Sequence, residues 1–188
     1  MLKPASLRDH LTRALPDLAR DPEKLMVLVP EGSIQSTLTD SLSYEYGYTL
    51  RLILLDFATH ADAVMAPLLI WLRTHQSDLL DNPEKRAKAI RFSAEFLSTT
   101  TMDLVIDLDL TERVLARPRP EQSGALNLVH VPESAHISLY TPAGRPPDAH
   151  GTGEPGQDGL GREHWSFWLK DQLLAEWDYD PRPQAMRD

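Results

Sequence analysis

The sequence predicts an α+β protein: a mostly antiparallel sheet with a long central strand, packed against two or three helices, then a linker and a C-terminal helix. Three observations predict it. Apolar residues recur at helical spacing over residues 5–20 and 60–80. The run "SLSYEYGYTLRLILLDF" (Ser41–Phe57) alternates with period two, and the chain turns rich in Pro and Gly after Val114.

Taken in order, Leu7, Leu11, Ala14, Leu15 and Leu18 share one helical face, with Ser6 as the expected N-cap and Pro16 as a break. "KLMVLVP" (Lys24–Pro30) is a short apolar run with valines and reads as a strand. Glu31-Gly32 signals a turn, and "SIQSTL" reads as a second short strand. In the long run that follows, Leu42, Tyr44, Tyr46, Tyr48, Leu50, Leu52 and Leu54 fall on one face. The odd positions begin Ser43, Glu45, Gly47, Thr49 and Arg51 and turn apolar at Ile53, Leu55 and Phe57. That pattern predicts a strand passing from a half-exposed to a doubly buried location, roughly 50 Å long. Helical spacing returns with Ala61, Val64, Met65, Leu68, Leu69 and Leu72, where Pro67 predicts a kink. "DNPEKR" predicts a helix start, with Asp81 or Asn82 capping and Pro83 at the first helical position. "KAIRFSAEFL" and "MDLVIDLDLTERV" are two further strands joined across Ser98–Thr101. In the second, Met102, Leu104, Ile106, Leu108 and Leu110 oppose Asp103, Asp107 and Asp109.

Residues 1–116 are therefore expected to form the α+β domain and residues 117–162 an extended Pro/Gly-rich linker, since six of nine glycines fall between Gly144 and Gly161. Residues 163–179 follow, with Trp165, Trp168, Leu169, Leu173 and Trp177 spaced as an amphipathic helix. A helix this short is marginal alone, so docking on another surface is expected.

Composition excludes several function classes. There is no cysteine, hence no disulfide framework, thiolate metal site or cysteine nucleophile. The N-terminus lacks the apolar centre of a signal peptide, and "APLLIWL" is far short of the ~20 residues of a membrane span, so a soluble protein made in the cytoplasm is expected, with no membrane partner. A formal charge of -9 argues against binding nucleic acid through phosphates; the short stretch Lys85–Arg91 is the one basic exception.

Chemical motifs are sparse. "GTGEPG" (Gly151–Gly156) matches a dinucleotide fingerprint in letters but sits in a Pro/Gly linker with Pro155 inside it. Asp103, Asp107 and Asp109 are hard-cation ligands by type, yet a strand face lined with acids is more often the solvated side, and no fourth ligand lies nearby. The seven histidines are scattered, and no nucleophile elbow occurs. No catalytic, cofactor-binding or metal-binding residue is assigned, and no cofactor is expected. For Tyr44, Tyr46 and Tyr48 three fates stand open: core packing, base stacking, and contact with another subunit. The acidic charge and adjacent Glu45 disfavour stacking.

Several strings in fixed order carry a family resemblance: a leucine-rich opening helix with "LP", then "SLSYEYGYTL", "PLLIWL", "QSDLL" and "LTERV". Over about residues 3–115, with an echo at "VHVPE" (Val129–Glu133), the chain resembles the tail completion protein R (GpR) family of P2-like contractile-tailed phages. Gly47 departs from that pattern, where a larger residue, often Arg, is expected. The resemblance implies a tail-terminator-like fold and a structural, non-enzymatic role in the virion tail or a tail-like particle, at the end that meets the head. There a ring of copies, in the simplest case a hexamer, would cap tube and sheath and face the head connector or neck protein. Within that reading Tyr44, Tyr46, Tyr48, Trp165, Trp168 and Trp177 are candidate subunit contacts. Asp103, Asp107 and Asp109 are candidates for an acidic lumen or groove. A neck adaptor and a small enzyme with a dispersed site are the alternatives.

Overall fold

The computed structural model describes residues 1–36, 41–121, 124–132 and 163–180. The linker stretch Thr141–Gly161, and the Gly151–Gly156 string within it, lie outside the described residues.

The chain opens with α1 (Lys3–Ala14) and α2 (Pro16–Arg20), separated at Pro16 as expected, then a single 3₁₀ turn (Pro22–Lys24). The α1 cap is not Ser6. The helix begins four residues earlier, with Leu2 at the cap position, and its free N–H groups are met by a carboxylate from across the fold: Glu112 accepts from the Leu2 and Lys3 amides at 2.7 and 3.3 Å. Ser6 instead accepts from Trp71 Nε1 at 3.1 Å.

Strand β1 (Leu25–Gln35) is one element, where a turn was expected at Glu31-Gly32. A register irregularity between Leu28 and Glu31 absorbs Pro30, and both halves pair with β2 (Tyr44–Phe57). Gly32 is there for close approach. A Cβ at that position would sit 3.1 Å from the Cβ of Tyr48, its partner across the ladder.

Helix α3 (Asp62–His75) runs through Pro67 without ending, and the short α4 (Asp78–Asp81) follows. Asn82 caps α5 (Pro83–Ala89) by accepting from the Glu84 and Lys85 amides, as its position before Pro83 predicts. The chain then enters β3 (Ile90–Phe96), β4 (Met102–Pro118) and β5 (Leu126–His130).

The main sheet has the order β1-β2-β4-β3, antiparallel throughout, with β5 pairing the far end of β4. The sheet domain thus extends past residue 116, because β5 returns to β4 at residues 114–118. Its core face (Leu50, Leu52, Leu54, Leu104, Ile106, Leu108) is fully buried under α1 and α3, which contribute Leu7, Leu11, Leu68 and Trp71. Among the described residues nothing covers the opposite face, and Ile53 and Leu55 are only half-buried there. The expected double burial of the strand end therefore does not occur; helices are supplied to one side alone. Phe57 does reach the core, because a register shift after Leu54, with Asp56 in the left-handed region (φ 47°), turns it inward.

The C-terminal segment is a β-hairpin, β6 (Glu163–Leu169) and β7 (Gln172–Tyr179), not a helix. The aromatic spacing fits helix and hairpin alike. The hairpin buries Ala175, Trp177 and Tyr179 on one side against α1 and α3, a flat face that a helix stripe of the same residues would not present.

Candidate assembly surfaces

The tyrosine ladder lies on the core side of β2 and is graded along it. Tyr48 is buried and donates to Glu112 Oε1 at 2.5 Å; burial, reinforced by that carboxylate, pushes its phenol well above the ordinary range. Tyr46 is half-buried against the core cluster. Its ring meets that of Tyr44 edge-on at 5.1 Å, and their hydroxyls lie 3.3 Å apart, which raises the Tyr46 pKa. Only Tyr44 and Tyr46, at the strand's beginning, retain surface for another molecule; Tyr48 is committed to the fold.

Glu112 is the residue that sequence reasoning missed. It is 5 % exposed on the core side of β4, where it takes the α1 amides and the Tyr48 hydroxyl, and His130 Nδ1 lies 3.1 Å away but out of line for a hydrogen bond. Its neighbour Thr111 sits in a gap of the sheet, since β3 begins with Ile90 opposite Leu108 and β5 ends with His130 opposite Val114. Side chains fill that gap. Gln76 Oε1 accepts from the Thr111 amide at 3.0 Å, and Lys3 Nζ donates to the Thr111 carbonyl at 2.7 Å. The signal was an acid in register with the apolar positions of "MDLVIDLDLTERV", where Glu112 follows Leu110 on the same face.

The aspartates of β4 point to the open face, as predicted, but not as an uncompensated row. Asp107 receives a two-pronged contact from Arg51 (2.7 and 2.8 Å), and Asp109 one from Arg91 (2.6 and 2.9 Å) plus the Thr49 hydroxyl at 3.0 Å. The arginine hydrogen bonds hold both carboxyls below the usual range. Asp103 accepts from the Asp56 amide at 2.9 Å, bracing the left-handed residue that turns Phe57 inward. Asp107 and Asp109 are thus each paired with an arginine, while Asp103, opposite Glu95 in the ladder, is held by a backbone amide. Among the described residues no group of three or more His, Asp or Glu is arranged to hold a metal ion.

The tryptophans separate in the same way. Trp177 is buried, with its ring edge-on to His10 at 5.6 Å and stacked on Phe167 at the same distance; Trp165 is half-buried with Arg73 over its ring. Trp168, at the hairpin tip, is 60 % exposed. Tyr179 donates to Thr74 of α3 at 2.5 Å. The segment expected to dock elsewhere is seated on its own chain.

Among the described residues the molecule is a one-sided sheet whose polar side chains hold strands and helix ends together, with aromatic side chains left at its edge and at the hairpin tip. The chain belongs to the family of the P2 phage tail completion protein R (GpR), whose match covers residues 1–134, the whole sheet-and-helix unit. The Tail completion protein R of Escherichia phage P2 is 41 % identical over 133 residues, covering 71 % of this chain and 84 % of that protein. No solved structure is significantly similar. As a family member the chain is a structural component of a phage tail and not an enzyme. The hairpin lies beyond the residues the family match covers.

Proposed function

We propose that this chain completes the head-proximal end of a contractile tail: a ring of copies, in the simplest case a hexamer, stops tube and sheath polymerisation and offers a surface to the head connector or neck protein. The observation that carries this reading is the family match over the complete sheet domain, joined to a relative named for tail completion. The physical reading agrees in kind, because such a role asks for stable shape and exposed edges and for no chemistry. Asp103, Asp107 and Asp109 would face the lumen or a groove with two of their three charges paired to Arg51 and Arg91. Any repulsion of passing DNA would then rest on the chain's overall charge of -9. Assembly would take place in the host cytoplasm. Electron microscopy of particles made without this protein tests the reading. Over-long, uncapped tubes are expected; tails of normal length that fail to join heads would overturn termination in favour of a neck adaptor.

A further inference from the structure

Both ends of the main sheet are open: among the described residues nothing pairs with the outer edge of β1 or of β3. β3 is the anomalous one. Every residue from Arg91 to Phe96 is exposed, although β4 beside it is buried at alternate positions. Register places Phe92 opposite Ile106 and Phe96 opposite Met102, so both rings stand on the core side of the sheet. The helical layer does not cover them there, and they remain 68 % and 76 % exposed. Edge strands are ordinarily blunted by proline, bulges or brevity. β1 has Pro30 and an irregularity between Leu28 and Glu31, whereas β3 has neither device and keeps seven regular residues.

Strand direction and ring closure indicate what fits this edge. The path β1-β2-β4-β3 holds an even number of antiparallel strands, so its two edges run in opposite directions. A copy rotated about an axis along the strands therefore presents its β1 antiparallel to β3. Two β3 edges could also meet about a two-fold axis, but that contact closes at two copies, whereas β3-to-β1 contacts repeat from copy to copy and can close a ring.

We propose that the β3 edge is completed by the Leu25–Val29 half of β1 from a second copy of this chain. The sheet then continues from subunit to subunit, and Phe92 and Phe96 cover the neighbour's half-buried Val27 and Val29. The inference rests on the ring reading and names the contact that closes the ring.

The absence of cysteine makes the test clean. Met26→Cys and Ser93→Cys place one thiol on the open face of each edge strand; both are treated with a short bis-maleimide linker, in free protein and in assembled tails. The double variant is expected to give a ladder of covalent oligomers, and each single variant none. Dimers from Ser93→Cys alone would show two-fold pairing and overturn the proposal. Rings seen by microscopy without a ladder would refute this interface and leave the ring standing, whereas neither rings nor ladder would refute both. A Phe92→Ser/Phe96→Ser variant should unfold at an unchanged temperature, since those rings are mostly exposed in the single chain. Its concentration for assembly should rise about tenfold or more; unimpaired assembly would count against the contact.

Discussion

His10 shows how a single buried side chain sets a pH dependence. Its Nε2 must carry the proton, because its partner at 2.9 Å is the Pro67 carbonyl, which can only accept. Nδ1 and the Trp177 Nε1 have no hydrogen-bond partner among the described residues, and the rings of Trp177 and Tyr179 close over the imidazole. Burial lowers its pKa from 6.5 to about 4, with the nearby charges of Arg13 and His75 acting in the same direction. The unfolded chain therefore binds the proton first as pH falls. Stability should decline from about pH 6.5 towards pH 4, by about 1.4 kcal/mol per pH unit at most, and this contribution should level off below. Exposed His164, raised by the hydrogen bonds it donates to Asp178 and then Glu176, acts in the opposite sense. Denaturant titrations of the parent and His10→Gln across pH 4–7 isolate the effect as a difference: the variant's slope should be shallower. A second residue prediction concerns Glu112. Tyr48→Phe removes one hydrogen bond to a buried carboxylate and should cost about 1.5–3 kcal/mol, lowering the melting temperature by about 2–4 °C per kcal/mol.

At the scale of elements, the strand pair β1–β2 offers a contrast between two glycines. Gly32→Ala drives a Cβ to 3.1 Å from Tyr48 Cβ, with no flexible atom to yield, and should destabilise by about 1–3 kcal/mol. Gly47→Ala meets only the Ser33 hydroxyl at 3.4 Å and relieves a glycine within a strand, so it should gain about 0.5–1 kcal/mol; thermal melts of both variants check the signs. These glycines also mark what could be read from sequence. Period-two alternation gave β2, β4 and the faces of Tyr44, Tyr46, Tyr48, Asp103, Asp107 and Asp109, because a half-covered sheet writes itself directly into polarity. The Asn82–Pro83 cap was equally legible. Gly32 was not, since a glycine required by the next strand looks the same as a glycine in a turn. Nor was the hairpin. Its Lys170-Asp171 connection lacks the Asn-Gly type of signal, with Lys170 itself taking the left-handed conformation (φ 54°). The irregularity between Phe167 and Trp168 also shifts the aromatic positions onto a spacing that a helix would satisfy. The Arg partners of Asp107 and Asp109 come from β2 and β3, so only the ladder register, absent from any local window, could reveal them.

For the whole molecule, the question is how far the sheet domain depends on the hairpin seated against it. Among the described residues the hairpin shares no ladder with the main sheet, whose Leu50, Leu52, Leu104 and Ile106 lie under α1 and α3, although its Ala175, Trp177 and Tyr179 join the same buried cluster. The hairpin in turn contributes Ala175, Trp177 and Tyr179, whose neighbours include His10 and Thr74 on the helices. A chain ending at Pro132 should therefore still fold cooperatively, with a lower melting temperature because that part of the helical surface becomes wet. Removing the cover also returns water to His10, so the truncated chain should lose most of the stability slope between pH 6.5 and 4 that the full chain shows. The two readouts together are decisive. A truncated chain that unfolds without a cooperative transition would mean that the hairpin is part of the domain core. A cooperative chain that keeps the full slope would mean that α1 and α3 alone desolvate His10. The predicted result, folded but pH-flat, would define residues 163–179 as a separable layer added to the family's sheet domain. Its exposed Trp168 would then be free to be altered without disturbing the fold beneath.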